Sequence, residues 1–138
     1  MPMTHALLRT LAYAWASPTT LVGLGAAALT LLTGGRVRVH TGVLEVWGGF
    51  ATWALTRLVP LPGGASAMTL GHVVLARDWP SHERTRTHER VHVRQCERWG
   101  PLFIPAYFFC SCCYKARGRD AYYDNPFERE AYAVSDGT

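Results

Sequence analysis

The chain lacks a disulfide framework. Four cysteines occur in 138 residues; Cys110, Cys112 and Cys113 crowd one apolar segment and Cys96 stands alone. Cys110 and Cys113 form a Cys-x-x-Cys, but no second pair follows to complete a zinc ribbon. The thiols read as small buried hydrophobes in a reducing, cytosol-facing compartment. Charge is missing from Thr10 to Gly35, and the net +4 elsewhere comes largely from arginine. Arg86, Arg90, Arg94 and Arg98 form a stripe, and Lys115, Arg117 and Arg119 a cluster. No groove-reading motif and no aromatic–basic interleaving accompanies them, which argues against a nucleic-acid partner and leaves a solvated helix face or attraction to anionic lipid.

What the chain does have is His88-Glu89-Arg90-Val91-His92, inside a helical segment predicted over residues 81–99. Residues four apart share a helix face, so His88 and His92 can offer two imidazole nitrogens to one metal ion. Glu89 is offset by one residue, about 100° around the helix, where its carboxylate can take a proton from a metal-activated water. With six histidines and six glutamates in the chain, such a match arises by chance roughly 1% of the time. The same face carries Val91, Gln95 and Trp99, while the arginines fall opposite, so a buried site explains the histidines better than a solvated surface does.

A chain this long makes one domain, residues 1–138, with one modest core. The uncharged run, residues 10–35, breaks at Ser17-Pro18, where Pro reads as the first position of a helix from Thr19 to Leu32. A buried or membrane-contacting helix is favoured over a clean span. A signal peptide cut after Ala14-Trp15-Ala16 ranks lower, because Arg9 interrupts its apolar core. Arg36 to Trp47 alternates around Thr41-Gly42 as a hairpin, and Phe50 to Val59 fits a short helix or a strand equally. Met68 to Ala76 reads as one strand containing His72, and Ser81 as the N-cap of the motif helix. Residues 101–116 form a second apolar helix, and residues 126–135 a short one capped by Asn125 with Pro126 at its first position. Basic residues follow both apolar helices, the pattern of segments at the cytoplasmic face of a membrane. The expectation is an α+β domain with a small, mostly antiparallel sheet, associated with a membrane on its cytoplasmic side or otherwise cytoplasmic.

A catalytic zinc needs three protein ligands and an open position. Arg98 stands six residues after His92 where a third histidine would extend the motif. His88-Glu-x-x-His92 followed by Asn125-Pro-x-Glu128-x-x-Ala131 resembles the gluzincin metallopeptidases, and the order of elements is similar to that of the single-domain minigluzincins. His92-Val-Arg-Gln95 resembles the His-x-x-Gln continuation of several bacterial proteins of this kind. The resemblance implies Zn²⁺ held by His88, His92 and Glu128, and a metal-activated water attacking a peptide carbonyl with Glu89 as general base. Glu130 is the rival to Glu128. Tyr107, Tyr122, Tyr123 and His72 are candidates for a second donor to the oxyanion, and Asp124 or Glu130 for orienting a ligand histidine.

The chain has no room for the lower subdomain that forms the second cleft wall in larger gluzincins. A protein partner would complete the cleft, or Tyr132 and the tail would lie across the metal in a latent form. The strand before the motif helix is expected to pair with an extended peptide or protein substrate. The alternative function is a non-catalytic, membrane-associated zinc protein of structural or regulatory type, its metal closed by Cys96 as a fourth ligand.

Overall fold

The computed structural model describes residues 2–136. Helix α1 (Pro2–Leu32) runs unbroken through Pro18 rather than starting there. Proline has no N–H for the carbonyl four residues back, which here is that of Ala14. The Ser17 hydroxyl donates to that oxygen at 2.7 Å, so the break expected at Ser17-Pro18 is repaired locally. Ala16, Thr19, Gly23, Ala27 and Thr30 form a buried stripe at three- and four-residue spacing. Their small side chains let the sheet approach the helix closely.

Strands β1 (Arg36–His40) and β2 (Val43–Trp47) form the expected hairpin. Thr41 and Gly42 both have positive φ, 46° and 76°, as a two-residue turn matched to strand twist requires. The undecided segment is helix α2 (Gly49–Arg57). The single strand expected over 68–76 is instead two, β3 (Ala67–Leu70) and β4 (Val73–Ala76), an antiparallel hairpin turning at Gly71-His72. Gly71 sits at φ 65°, and a Cβ there would stand 2.6 Å from the Thr20 backbone nitrogen. Turn geometry and the press of α1 therefore both require glycine. The sheet order is β1-β2-β4-β3, with β2 and β4 parallel and the other two pairs antiparallel, the mostly antiparallel α+β arrangement anticipated. Val46, Val73 and Leu75 pack with Ala27, Ala51 and Leu55 to form the core between sheet, α1 and α2. This leaves β3 at the sheet edge.

Helix α3 (Trp79–Trp99) lies against the sheet. Its N-cap is Asp78, whose carboxylate accepts from the Ser81 N–H at 2.8 Å; Ser81 itself lies inside the first turn. The arginine stripe is only partly a solvated face. Arg86 makes a two-pronged contact with Glu45, at 2.9 and 3.3 Å, and Arg90 stands 3.8 Å from the same carboxylate, which is 1% exposed. Burial would raise the Glu45 pKa, but Arg86, His82 and Arg90 together hold it below its usual value. Arg90 also donates to Thr41 Oγ1 and to the His40 carbonyl, both at 2.7 Å, clasping the motif helix to the far hairpin turn. Arg94 and Arg98 remain exposed. A 3-10 turn at Gly100–Leu102 leads into α4 (Phe103–Ala116), and α5 (Pro126–Asp136) packs back on α3.

Candidate metal centre

His88 and His92, one turn apart on α3, face the first turn of α5. His88 Nε2 lies 2.9 Å from Glu128 Oε2, His92 Nε2 lies 3.1 Å from Glu128 Oε1, and the two nitrogens are 3.3 Å apart. All three residues are buried, and among the described residues they form a group that could hold a metal ion. A tetrahedral ion about 2.0–2.1 Å from each nitrogen spaces its ligand atoms about 3.3–3.4 Å apart. The donors already stand close to that spacing, so the site fits a small divalent cation by geometry and by donor chemistry.

Glu128 reaches the centre because its helix is fixed from below. Asn125 is fully buried: its Oδ1 accepts from the Phe127 N–H at 2.9 Å, while its Nδ2 donates to the Tyr107 carbonyl and to Ser111. The expected cap is thus also a tether to α4. Tyr107 donates its hydroxyl to Glu128 Oε1 at 2.8 Å. Burial would raise the Glu128 pKa, but hydrogen bonds from His88, His92 and Tyr107 and the charge of His92 hold it at about 2. His92 is pushed down by burial, yet its bond to Glu128 and the nearby charges of Glu89 and Glu128 raise it to about 9.

Gln95 is the support that sequence reasoning quoted without a role. It is fully buried, donates Nε2 to the Phe127 carbonyl at 3.0 Å, and sets Oε1 2.8 Å from His92 Nδ1. A carbonyl only accepts, so the Gln95 amide has one orientation and His92 Nδ1 must carry the hydrogen. The hydrogen on Nδ1 makes Nε2, which shares its proton with Glu128, the nitrogen that a metal would bind on displacing that proton. The three-residue spacing from His92 was the available signal. His88 Nδ1 is buried without a partner among the described residues, while the Tyr132 ring packs 4.4 Å from the His88 ring. Thr69, on edge strand β3, donates to Glu89 Oε2 at 2.6 Å and so orients that carboxylate. Nothing in the sequence marked it.

Other candidates lie outside the three-donor cluster. Glu130 is exposed and pairs with Arg98 at 3.7 Å, so it is not the third donor. Asp124 accepts from the Asp120 N–H rather than orienting a histidine. His72 stacks on Tyr13 and bonds Glu97, outside the cluster. Tyr122 shares a 3.1 Å hydrogen bond with Tyr132. Cys96 is buried against Ala16, Phe103 and Phe127, and burial pushes its thiol up to about 12, which disfavours the thiolate a metal needs. It does not belong to the cluster.

Two cavities meet the centre. One, of about 520 Å³, is lined by Glu89, His92 and Glu128 together with apolar side chains including Leu61, Met68, Phe103 and Phe108. The other, of about 210 Å³, brings Tyr122, Tyr123 and Tyr132 to His88 and Glu89. The chain was also compared with known proteins. No family model, no curated protein and no solved structure matches it.

Proposed function

We propose that the chain is a zinc-dependent metallopeptidase in which His88, His92 and Glu128 hold the metal and Glu89 is the general base. The observation that carries this reading is Glu89 itself, a buried carboxylate held by Thr69 beside a three-donor centre, on the wall of an apolar cavity. A structural site closed by four ligands has no use for such a group. Two imidazoles and a carboxylate at tetrahedral spacing suit zinc.

When bound, zinc supplies positive charge that acidifies a water and polarises a carbonyl. The chain's own groups do the rest. Thr69 holds Glu89 Oε2, leaving Oε1 to take the proton of the attacking water and pass it to the departing amine. Gln95 holds the hydrogen of His92 Nδ1, so that Nε2 is the nitrogen turned to the metal, and Tyr107 fixes the Glu128 carboxylate. Tyr122 lines both cavities and is the candidate donor to the carbonyl oxygen as it gains charge. Edge strand β3 offers its free backbone groups to an extended peptide, with the cavity accepting an apolar side chain.

The test is the metal content and peptide turnover of wild type beside Glu128→Ala and Glu89→Gln. Wild type is expected to hold about one zinc, Glu128→Ala to lose it, and Glu89→Gln to keep it with turnover abolished. Wild type without stoichiometric metal, or a fully active Glu89→Gln, overturns the reading.

A further inference from the structure

The outer surface of α1 is unlike that of a helix exposed to water. Leu7, Leu8, Leu11, Leu21, Val22, Leu29 and Leu32 are all exposed, along with Trp15 and Leu24. At 100° per residue, these side chains fan through about 200° of the helix circumference. Together they present on the order of 1,000 Å² of apolar surface, well above the patch a typical monomer carries. A protein partner covers one face of a helix; a medium that wraps every free side is lipid.

Charge is distributed with the same bias. His5 and Arg9 are the titratable side chains of α1 apart from the tyrosine Tyr13, and by the helical period both lie on the side of the buried stripe. Arg9 is indeed near the hairpin turn at Gly42. The outward arc is therefore uncharged over the whole 31-residue helix, about 46 Å at 1.5 Å per residue. That exceeds a hydrocarbon core of about 30 Å. Arg36 and Arg38, both exposed, follow at its C-terminal end, where they can reach anionic headgroups.

Packing decides how the helix meets the bilayer. The buried stripe from Ala16 to Thr30 is covered by the domain, and Trp15 Nε1 donates to the Arg98 carbonyl. Tyr13 stacks on His72, which bonds Glu97. If α1 crossed the bilayer, Glu97 and the exposed Arg94 and Arg98 would be carried into hydrocarbon at the level of its middle turns. We propose that α1 is a keel: it lies along the membrane surface with its uncharged arc sunk in the lipid and the domain above it, touching one leaflet. This inference is independent of the metal centre.

The test uses the full chain with Cys110, Cys112 and Cys113 replaced by serine, Cys96 being fully buried. Single cysteines at Leu8→Cys, Leu21→Cys and Leu32→Cys carry an environment-sensitive fluorophore. Vesicles of phosphatidylcholine and phosphatidylserine contain shallow or deep spin-label quenchers. A keel gives blue shifts at all three positions with the same shallow depth. A deep Leu21 between shallow Leu8 and Leu32 means a span and overturns the proposal. No blue shift at any position also overturns it, and crosslinking through Leu21→Cys then reports whether a second copy covers the arc. The doubly charged variant Leu21→Glu/Leu29→Glu is expected to lose vesicle flotation about tenfold or more while keeping wild-type metal content. Unchanged flotation overturns the proposal.

Discussion

Replacing Gln95 isolates how the fold prepares a ligand. In Gln95→Leu the His92 Nδ1–H and the Phe127 carbonyl lose their partners, at positions where the native side chain is fully buried. Each orphaned group costs about 1–3 kcal/mol, so a loss of about 2–4 kcal/mol in stability is expected after partial relaxation. Freed from Gln95, His92 can also place its hydrogen on Nε2, the atom that faces Glu128. Loss of such an outer partner weakens metal binding about 10–100-fold. Gln95→Glu separates the two effects. It keeps an acceptor for His92 Nδ1 but sets a carboxylate against the Phe127 carbonyl, so stability should fall while metal affinity holds. The assays are urea unfolding of the metal-free proteins and competition with a chromophoric chelator. A Gln95→Leu variant that unfolds earlier yet binds zinc within twofold of wild type would refute tautomer control by Gln95.

Three further outcomes follow from contacts of the centre and the sheet. Asn125→Ala removes the cap of α5 and two bonds to α4, and should cost about 2–3 kcal/mol in urea unfolding together with much of the metal affinity, because Glu128 loses its footing. Thr69→Val should leave zinc content at wild-type level while lowering peptide turnover about tenfold; loss of metal instead would mean that Thr69 acts on the ligands. Acid should weaken the fold in two windows. Burial lowers the His82 pKa from 6.5, so its contribution is full above pH 6.5 and is lost as pH falls toward the depressed value. Glu45, lowered from 4.5 against its burial by Arg86, His82 and Arg90, contributes fully above pH 4.5 and loses that contribution below it. In Glu45→Gln the second fall in the urea midpoint should shrink, with the remainder coming from Glu128, held at about 2 by His88, His92 and Tyr107; an undiminished second fall would show that Glu45 does not contribute to it.

The ligand pair was legible because helical spacing is local: His88 and His92 need only a helix to share a face. Glu128 was legible only through the resemblance of Asn125-Pro-x-Glu128-x-x-Ala131 to a known motif, since nothing local separates it from Glu130. The supports were harder to see. Thr69 meets Glu89 only when β3 turns back on β4, and that hairpin was hidden because buried His72 made residues 68–76 look continuous. The Ser17-Pro18 break failed because a neighbouring hydroxyl supplied the bond that proline could not. The arginine stripe looked solvated because Glu45, its partner, lies on β2, 41 residues away in sequence from Arg86. Local patterns carried the chemistry, and long-range polar pairs that hold it in place left no periodic trace.

The clasp made by Arg90 bears on how the centre is aimed. Arg90 occupies a spacer position within His88-Glu89-Arg90-Val91-His92, and its guanidinium is anchored at Thr41 and His40. Val91, the other spacer, is buried on the inner side. A helix gripped in this way resists rolling about its own axis, and roll is the motion that would carry Glu89 away from Thr69 and from the centre. The angular aim of Glu89 is thus set in part at the tip of the β1–β2 hairpin. A change at Thr41, which is not one of the three donors, would act as a detuning of the centre.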